Sequence, residues 1–406
     1  MGDRRAGPGT ARPLLFYSYW SLDYYNPEAK LKAEALRETG YDVVYVAGIG
    51  LRNPRPSSFG KLVDRTLRKL TRVSPEQSEA EVQAMRTAAV AVAPPRQVPM
   101  VRRANDRWML RQLEAIAPPW RDAIAWIRWP TPEVVGALAR HRPAGVVYEC
   151  VDPYDVGPGV KGRWVEIFRR AEASLVELAD LVVVPTPSLG ERFAGRADVR
   201  VLPHGVDLQL FPPGNQTPQS GPPVVGFAGT LDYRLDTEIL RALADDGRWS
   251  LTLVGPVGPG FPLADFARHP NVSVRPAVPH EQIGEVLAGF DVGVLPYHDL
   301  APGFDYEYTD PLKALELLAA GKPVVAKPNT SLRRLDSVVR FAGVAAEFPA
   351  VVDAALAGDS AALAAHRRSV AEENSWGQRL QELRTFVEQL GGPVIAPPVA
   401  GDHSPR

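Results

Sequence analysis

The sequence predicts two doubly wound α/β domains joined by a short linker, with one helix after the second domain. Three observations support this. Continuous apolar segments alternate with helical patterns, stop, and then alternate again, as parallel strands buried on both faces require. Between the two runs, residues 211–223 read Phe-Pro-Pro-Gly-Asn-Gln-Thr-Pro-Gln-Ser-Gly-Pro-Pro, a composition suited to a connection rather than a core. The charge also changes sign: residues 1–205 hold 30 Lys and Arg against 23 Asp and Glu, a net +7, and residues 206–406 hold 16 against 24, a net −8. At 406 residues the chain is longer than a single core usually supports.

In the first domain, taken as residues 1–205, residues 14–17 read as a strand, 27–38 as a helix that stops near Gly40, and 42–46 as the next strand. Further strands are expected at 123–127, 145–149, 181–184 and 199–202, with a helix over 165–177. Residues 52–142 show a longer and more helical pattern than one crossover needs. After a linker at 206–223, the second domain (224–375) restarts with strands at 224–227, 251–254, 272–274, 292–295 and 323–326. Its helices are expected near 236–243, 280–287 and 311–320. A terminal helix at 376–390 is expected to pack back on the first domain, and 391–406 has the composition of a disordered tail.

Residues 310–326 are the most informative stretch, a helix, a glycine stop and a buried strand. Asp310 is placed to cap the first turn and Pro311 to occupy the first helical position. Leu312, Leu315 and Ala319 share one face, and Gly321 ends the helix before Val324-Val325. Lys313 puts a positive charge in the first turn, which the helix dipole disfavours by roughly 0.3–1 kcal/mol. An anion in front of the helix would make sense of it. Glu316 lies three residues on, on the same side, where a carboxylate can accept from hydroxyls. Diphosphate plus ribose is the ligand that this pattern suggests; an ordinary solvated Lys–Glu pair is the other reading.

In an open parallel sheet, ligands sit at the carboxyl ends of the strands. Those ends carry Ala228-Gly229-Thr230, Gly255-Pro256-Val257-Gly258, Ala277-Val278-Pro279-His280 and Pro296-Tyr297-His298. Glycines at 229 and 255 would let backbone N–H groups approach a ligand, and the 277–280 loop could hold a base through its backbone. With Lys313 and Glu316 these loops converge on one place.

The bulk properties bound the rest. No apolar run approaches the roughly 20 residues of a membrane span, and Met1-Gly2-Asp3-Arg4-Arg5 is not followed by the apolar segment of a signal peptide. The lone Cys150 excludes an internal disulfide and, within the apolar run 146–151, is expected as a buried structural thiol. Seven scattered histidines show no ligand spacing, so no protein-held metal is expected. These features fit a cytoplasmic setting.

The motifs Phe227-Ala-Gly-Thr-Leu-Asp, Leu253-Val-Gly-Pro, Phe290-Asp-Val-Gly-Val-Leu-Pro-Tyr and Pro311-Leu-Lys-x-x-Glu-x-x-Ala-x-Gly-Lys-Pro-Val-Val together resemble family-4 glycosyltransferases of the GT-B fold. The similarity is to the bacterial cell-wall and exopolysaccharide branch, of teichuronic acid type. Val147-Tyr-Glu-Cys-Val-Asp152, Ala179-Asp-Leu-Val-Val-Val-Pro-Thr-Pro-Ser188 and Leu202-Pro-His-Gly-Val-Asp207 fit the same pattern. The resemblance runs from about residue 120 to 390.

It implies two Rossmann-like domains facing a cleft, and transfer of a hexose from a nucleotide diphosphate sugar to a hydroxyl acceptor. That acceptor would be a cell-surface polysaccharide, a lipid-linked sugar or a secondary metabolite. A UDP-sugar is the expected donor and a GDP-sugar the alternative, with no cofactor held by the protein. By the resemblance, Glu316 binds the ribose hydroxyls, and Lys313 with the backbone at Leu312 faces the diphosphate. Gly229 and Thr230 border the phosphates or sugar, Val278 and Pro279 in the 278–280 loop the base, and Gly255, Tyr297 and Asp310 belong to the donor-binding set. Two departures stand out. The family's first carboxylate would fall at Tyr308, with Glu307 one position off, and Arg234 lacks the lysine that usually accompanies it. Family likeness favours a retaining reaction. A sugar-nucleotide isomerase and a non-catalytic sugar-nucleotide binder are the alternatives.

The first domain is basic. Arg52, Arg55, Lys61, Arg65, Arg68, Lys69 and Arg72 crowd one short stretch, and Arg96, Arg102, Arg103, Arg107 and Arg111 another that includes Trp108 and Met109. An acceptor face drawn to an anionic lipid surface or to a lipid-diphosphate acceptor is one expectation for these stretches, with peripheral contact at the inner face of the membrane through 52–72, and a solvated helical face is the other. No nucleic-acid motif accompanies the charge. Asp23, in the aromatic loop after the first strand, and Asp152 are candidates for a general base, needed only if the reaction inverts.

Overall fold

The computed structural model describes residues 11–18, 27–49, 85–93, 98–153, 163–195, 198–213, 221–301 and 304–389. The expectations for Asp23, the basic stretch 52–72 and the tail 391–406 fall outside these residues. The chain divides into two compact units: Met1–Glu149, Arg170–Val182 and Leu380–Arg406 form one, and Cys150–Arg169 and Val183–Arg379 the other. Among the described residues no single helix is long and apolar enough to cross a membrane.

Two parallel sheets organise the fold, as expected. The first comprises β1 (Arg12–Ser18), β2 (Tyr41–Ile49), β3 (Arg86–Ala91), β4 (Ile124–Ile127), β5 (Gly145–Glu149), β6 (Leu181–Val184) and β7 (Asp198–Val201), in the order β3-β2-β1-β4-β5-β6-β7. β1 pairs in parallel with both β2 and β4, so the winding reverses between them. Helices α1 (Pro27–Glu38), α2 (Pro99–Ile116), α3 (Pro132–Arg140) and α4 (Arg163–Leu178) fill the crossovers. The helical pattern of 52–142 conceals β3, an edge strand with one buried side chain, Val90. Its apolar run, Ala88–Ala91, is alanine-rich and reads equally as helix, and its pairing with β2 marks it as a strand.

The second sheet comprises β8 (Val224–Ala228), β9 (Ser250–Val254), β10 (Val272–Arg275), β11 (Val292–Leu295), β14 (Val324–Ala326) and β15 (Val339–Phe341), in the order β10-β9-β8-β11-β14-β15. Two-residue strands β12 (Leu300–Ala301) and β13 (Phe304–Asp305) pair with each other. The crossovers hold α5 (Thr237–Asp246), α6 (Ile283–Ala288), α7 (Leu312–Ala319) and α8 (Phe348–Ala357), followed by α9 (Ala361–Glu373) and α10 (Trp376–Gln389). Alternation along the strands feeds two cores: Val225, Phe227, Leu251, Val292 and Val294 point to one, and Val254, Leu295, Val324 and Ala326 to the other.

The boundaries differ from a cut at residue 205 and a linker at 206–223. Val206 forms a parallel bridge with Ser375, and Val206 and Phe211 are buried in the second unit's core, so the first residues of the expected linker belong to that core. Pro and Gly content cannot distinguish a packed connection from a free one. Residues 150–169 and 183–205 also group with the second unit, and α10 from Leu380 onward with the first. There Arg384 donates to Glu38 at 3.2 Å.

Two packing features bear on function. Gly226 and Gly293 are register partners at the centre of the second sheet. A Cβ on Gly293 would stand 2.3 Å from Leu317, and one on Gly226 2.3 Å from Phe290. α7 therefore lies directly on bare backbone. In the first unit, the buried Lys32 ammonium donates to Glu28 at 2.5 Å and Glu149 at 2.6 Å. Arg128 reaches the same two carboxylates at 3.3 and 3.1 Å, and Trp126 Nε1 donates to Glu149 at 2.7 Å. Burial alone would depress the lysine pKa, but Glu149 and Glu28 outweigh it and hold it above the ordinary value.

Gly293→Ala should lift Leu317 and cost about 1–3 kcal/mol of stability in urea unfolding, as overpacking does. Lys32→Met leaves two buried carboxylates short of a cation and should cost about 3–5 kcal/mol. Because the lysine pKa is raised, its stabilising contribution is complete below the unfolded value of 10.5 and lost only as pH rises through the folded one. The loss should therefore be the same at pH values from weakly acidic to weakly basic.

Candidate functional site

The site is built on α7. Its N-cap is Pro311, with no side-chain cap. The expectations that Asp310 caps the helix and that Pro311 is its first helical residue are both corrected. Asp310 Oδ2 accepts instead from the His204 N–H at 2.8 Å, and Arg334 Nη2 reaches its Oδ1 at 3.1 Å. A buried carboxylate with a guanidinium and an amide at hand has no need of the helix end. The leading N–H groups of α7 are consequently left without a side-chain partner.

Glu316 lies one turn deeper and is 8% exposed. Its carboxylate has no hydrogen-bond partner among the described residues. Burial pushes its pKa up, against the opposing pull of Lys313 and His280. His280 Nδ1 lies 4.0 Å away, in the turn before α6. A small cavity lined by Ala228, Leu287, Leu295, Lys313 and Glu316 adjoins it.

Lys313 is held by its surroundings. The Tyr297 phenol is the largest influence and raises its pKa; burial opposes this and Glu316 adds to it. Tyr297 is fixed by a bridge to Leu235 and by ring contacts with Phe227 at 6.1 Å and Tyr306 at 5.3 Å. Arg234 also interacts with Tyr297, while its guanidinium donates to both oxygens of the buried Asp232 at 2.9 Å. The Asp-x-Arg spacing is the sequence signal of that pair, and sequence reasoning missed it. Arg234 and Lys313 thus flank one phenol.

The two glycines act differently from expectation. Gly229 N–H donates to Val254 O at 2.8 Å and Gly255 N–H to Arg275 O at 3.1 Å, so neither is available to a ligand. Their φ angles of +157° and +150° instead require glycine. A Cβ on Gly229 would meet Lys313 Cε at 2.1 Å, and one on Gly255 would meet Gly229 O at 1.9 Å. Gly229 thereby leaves room for the Lys313 side chain, and Gly255 leaves room for the Gly229 backbone. Thr230 and Val278 are half-buried beside them, and Pro279 is exposed.

Tyr308 is half-buried, with the Arg192 guanidinium 5.9 Å from its ring centre. Its neighbour Glu307 does not substitute for the missing carboxylate. Glu307 Oε1 accepts from Ser188 Oγ at 3.0 Å and from the Thr330 N–H at 3.1 Å. Asp152 is exposed and within electrostatic reach of Tyr233. Cys150 is buried, and its thiol donates to Asp152 O at 3.3 Å.

Residues 222–366, which contain every member of the α7 cluster, match the family model described as Glycosyl transferases group 1. The chain resembles the group 1 glycosyltransferases of the GT-B fold. It is 29% identical over 208 residues to the teichuronic acid biosynthesis glycosyltransferase TuaH of Bacillus subtilis (strain 168), covering 46% of this chain and 51% of that protein. The chain thus spans about half the length of this curated relative. Among solved structures, sucrose-phosphate synthase from Thermosynechococcus elongatus superposes with a TM-score of 0.68 at 17% identity, over 94% of this chain and 99% of its own. Anabaena HepE, solved in complex with UDP-glucose, superposes with a TM-score of 0.63 at 14% identity, over 93% of this chain and 100% of its own. At such identities the likeness fixes the fold, which is GT-B.

A buried carboxylate with a raised pKa adds relative stability below its unfolded pKa, and loses it as pH rises through the folded one. Glu316→Gln should therefore raise the thermal midpoint at neutral pH, and the gain should vanish on acidification below the ordinary glutamate range. A midpoint that falls at neutral pH would show the carboxylate to be a structural partner.

Proposed function

We propose that this chain is a glycosyltransferase that moves a hexose from a UDP-sugar to a hydroxyl acceptor with retention of configuration. The observation that carries the reading is the unpartnered, nearly buried carboxylate of Glu316 beside Lys313 at an uncapped helix N-terminus. A carboxylate desolvated at this cost needs hydroxyl donors, and the two ribose hydroxyls supply them. One turn away, the leading N–H groups of α7, Lys313 and Arg234 form a place for a diphosphate.

On this reading the nucleoside lies across Glu316, with its base against Val278 and Pro279. As the bond from the sugar to the diphosphate breaks, negative charge grows on the leaving oxygen. Lys313 and the α7 dipole are fixed in advance to stabilise it. In a retaining transfer the leaving phosphate accepts the acceptor's proton on the same face of the sugar, so no protein base is needed. Asp152 would be required only for inversion. The HepE complex with UDP-glucose supports uridine as the first base to test, ahead of guanosine. The likeness to TuaH supports a cell-surface polysaccharide or a lipid-linked sugar as the acceptor.

Calorimetry with UDP should show binding that Glu316→Ala weakens about tenfold to a hundredfold, the worth of one or two hydrogen bonds to a charged group. An unchanged affinity would remove Glu316 from the donor site. A thermal-shift screen of UDP- and GDP-sugars should then select the donor. With that donor and a panel of hydroxyl acceptors, release of UDP and an anomeric proton of retained configuration are expected. Binding without UDP release from any acceptor would leave a sugar-nucleotide binder, and epimerised donor without acceptor an isomerase.

A further inference from the structure

α7 opens beside a carboxylate of the wrong sign for an anion site. Asp310 is buried and directly precedes Pro311, the N-cap. A negative charge at that end is favoured by the helix dipole and repels an incoming anion. Arg334 answers it: Nη2 donates to Asp310 Oδ1 at 3.1 Å and Oδ2 at 3.4 Å, while the His204 N–H donates to Oδ2 at 2.8 Å. Arg334 is itself held, because Nη1 donates to Asn374 Oδ1 at 2.5 Å, and Asn374 is fixed in turn by its own bond to Val370 O at 2.8 Å. The segment 329–334 also grips the loop in front of α7 at other points. Asn329 Nδ2 donates to Tyr306 O at 2.9 Å and to Thr309 O at 3.0 Å, and the Thr330 N–H donates to Glu307 Oε1 at 3.1 Å.

We infer that Arg334 is a positioning residue for the donor: it holds the Asp310 carboxylate off the α7 N-terminus and so keeps that end open to a diphosphate. The identity of the anion rests on the donor reading above; the effect of the charge does not. No contact between Arg334 and the donor is needed, since its guanidinium is engaged by Asp310 and Asn374. Without Arg334, Asp310 keeps the His204 amide and loses its counter-charge. The carboxylate then opposes an anion at the helix end, whether it stays in place or turns to accept from the leading N–H groups of α7. Asn329 and Thr330 still hold the loop in that case, so the expected change is one of charge.

The test is calorimetry on the full chain at neutral pH with UDP and with inorganic pyrophosphate. Arg334→Gln should weaken both about tenfold, the scale of one charge at a helix end. Arg334→Gln/Asp310→Asn should recover most of that loss, because the repelling carboxylate is gone and the asparagine carbonyl can still accept from the His204 N–H. A purely structural role, or a direct contact between Arg334 and the diphosphate, predicts a double variant no better than the single one. Should Arg334→Gln fail to fold, the double variant decides alone: affinity close to that of the wild type supports the inference, and a loss of about tenfold overturns it. Three further outcomes overturn it: unchanged affinity for both anions in Arg334→Gln, a double variant as weak as the single one, or a wild-type chain that binds neither anion. Loss and recovery with pyrophosphate, together with UDP binding that ignores Glu316→Ala, would keep this role for Arg334 and remove the nucleotide reading.

Discussion

The site depends on how closely α7 approaches its sheet. Two register-paired glycines, Gly226 and Gly293, remove side chains from the middle of the sheet, and Leu317 settles onto the backbone. Glu316, one residue before Leu317, is buried on the same helix. Its burial and raised pKa are consequences of helix placement rather than of any partner that holds it. Gly229 works in the same sense, since its missing side chain is space in which Lys313 lies, and Gly255 in turn lets the backbone at Gly229 come close. Backbone proximity is what turns an ordinary Lys-x-x-Glu spacing into a desolvated pair.

The two units treat buried charge in opposite ways. In the first, Lys32, Arg128, Glu28 and Glu149 satisfy one another, with Trp126 taking a remaining lone pair. Two cations and two anions close the network, and nothing is left for a ligand. In the second, Asp310 and Glu307 are likewise consumed, by Arg334 and His204 and by Ser188 and Thr330. Glu316 stands apart because Lys313 and the nearby His280 influence it without a hydrogen bond. A carboxylate left in this condition is destabilising in the free protein, and only a ligand with hydroxyl groups offsets that.

Much of the fold was legible because buried parallel strands are written in continuous Val, Leu and Ile. β4, β5, β6, β9 and β11 each read this way and were located to within a residue or so. β3 and β15 were not, since an alanine-rich edge strand such as Arg86–Ala91 reads equally as helix. At the site, Lys313 and Glu316 were found from helical spacing and from a charge at odds with the dipole. Asp310 was misread because its sequence context is that of a helix cap, whereas its actual partners, His204 and Arg334, are distant in the chain. The glycines were located correctly but explained wrongly. Sequence marks a glycine without saying whether its N–H or its missing Cβ matters.

Tyr308 sharpens what the donor site can recognise. If Glu307 had merely slipped one position, its carboxylate would face the sugar from a shifted backbone. Instead it accepts from Ser188 and from the N–H of Thr330, and leaving would strand both donors. The segment therefore offers an aromatic ring, with Arg192 over it, where the resemblance places an acid. A phenol can donate to a sugar hydroxyl. On the proposed reading Glu316 is then the carboxylate that meets the donor, and Lys313 and Arg234 act on the diphosphate. Discrimination among sugars would then come from the shape and polarity of Tyr308 rather than from a charged hydrogen bond.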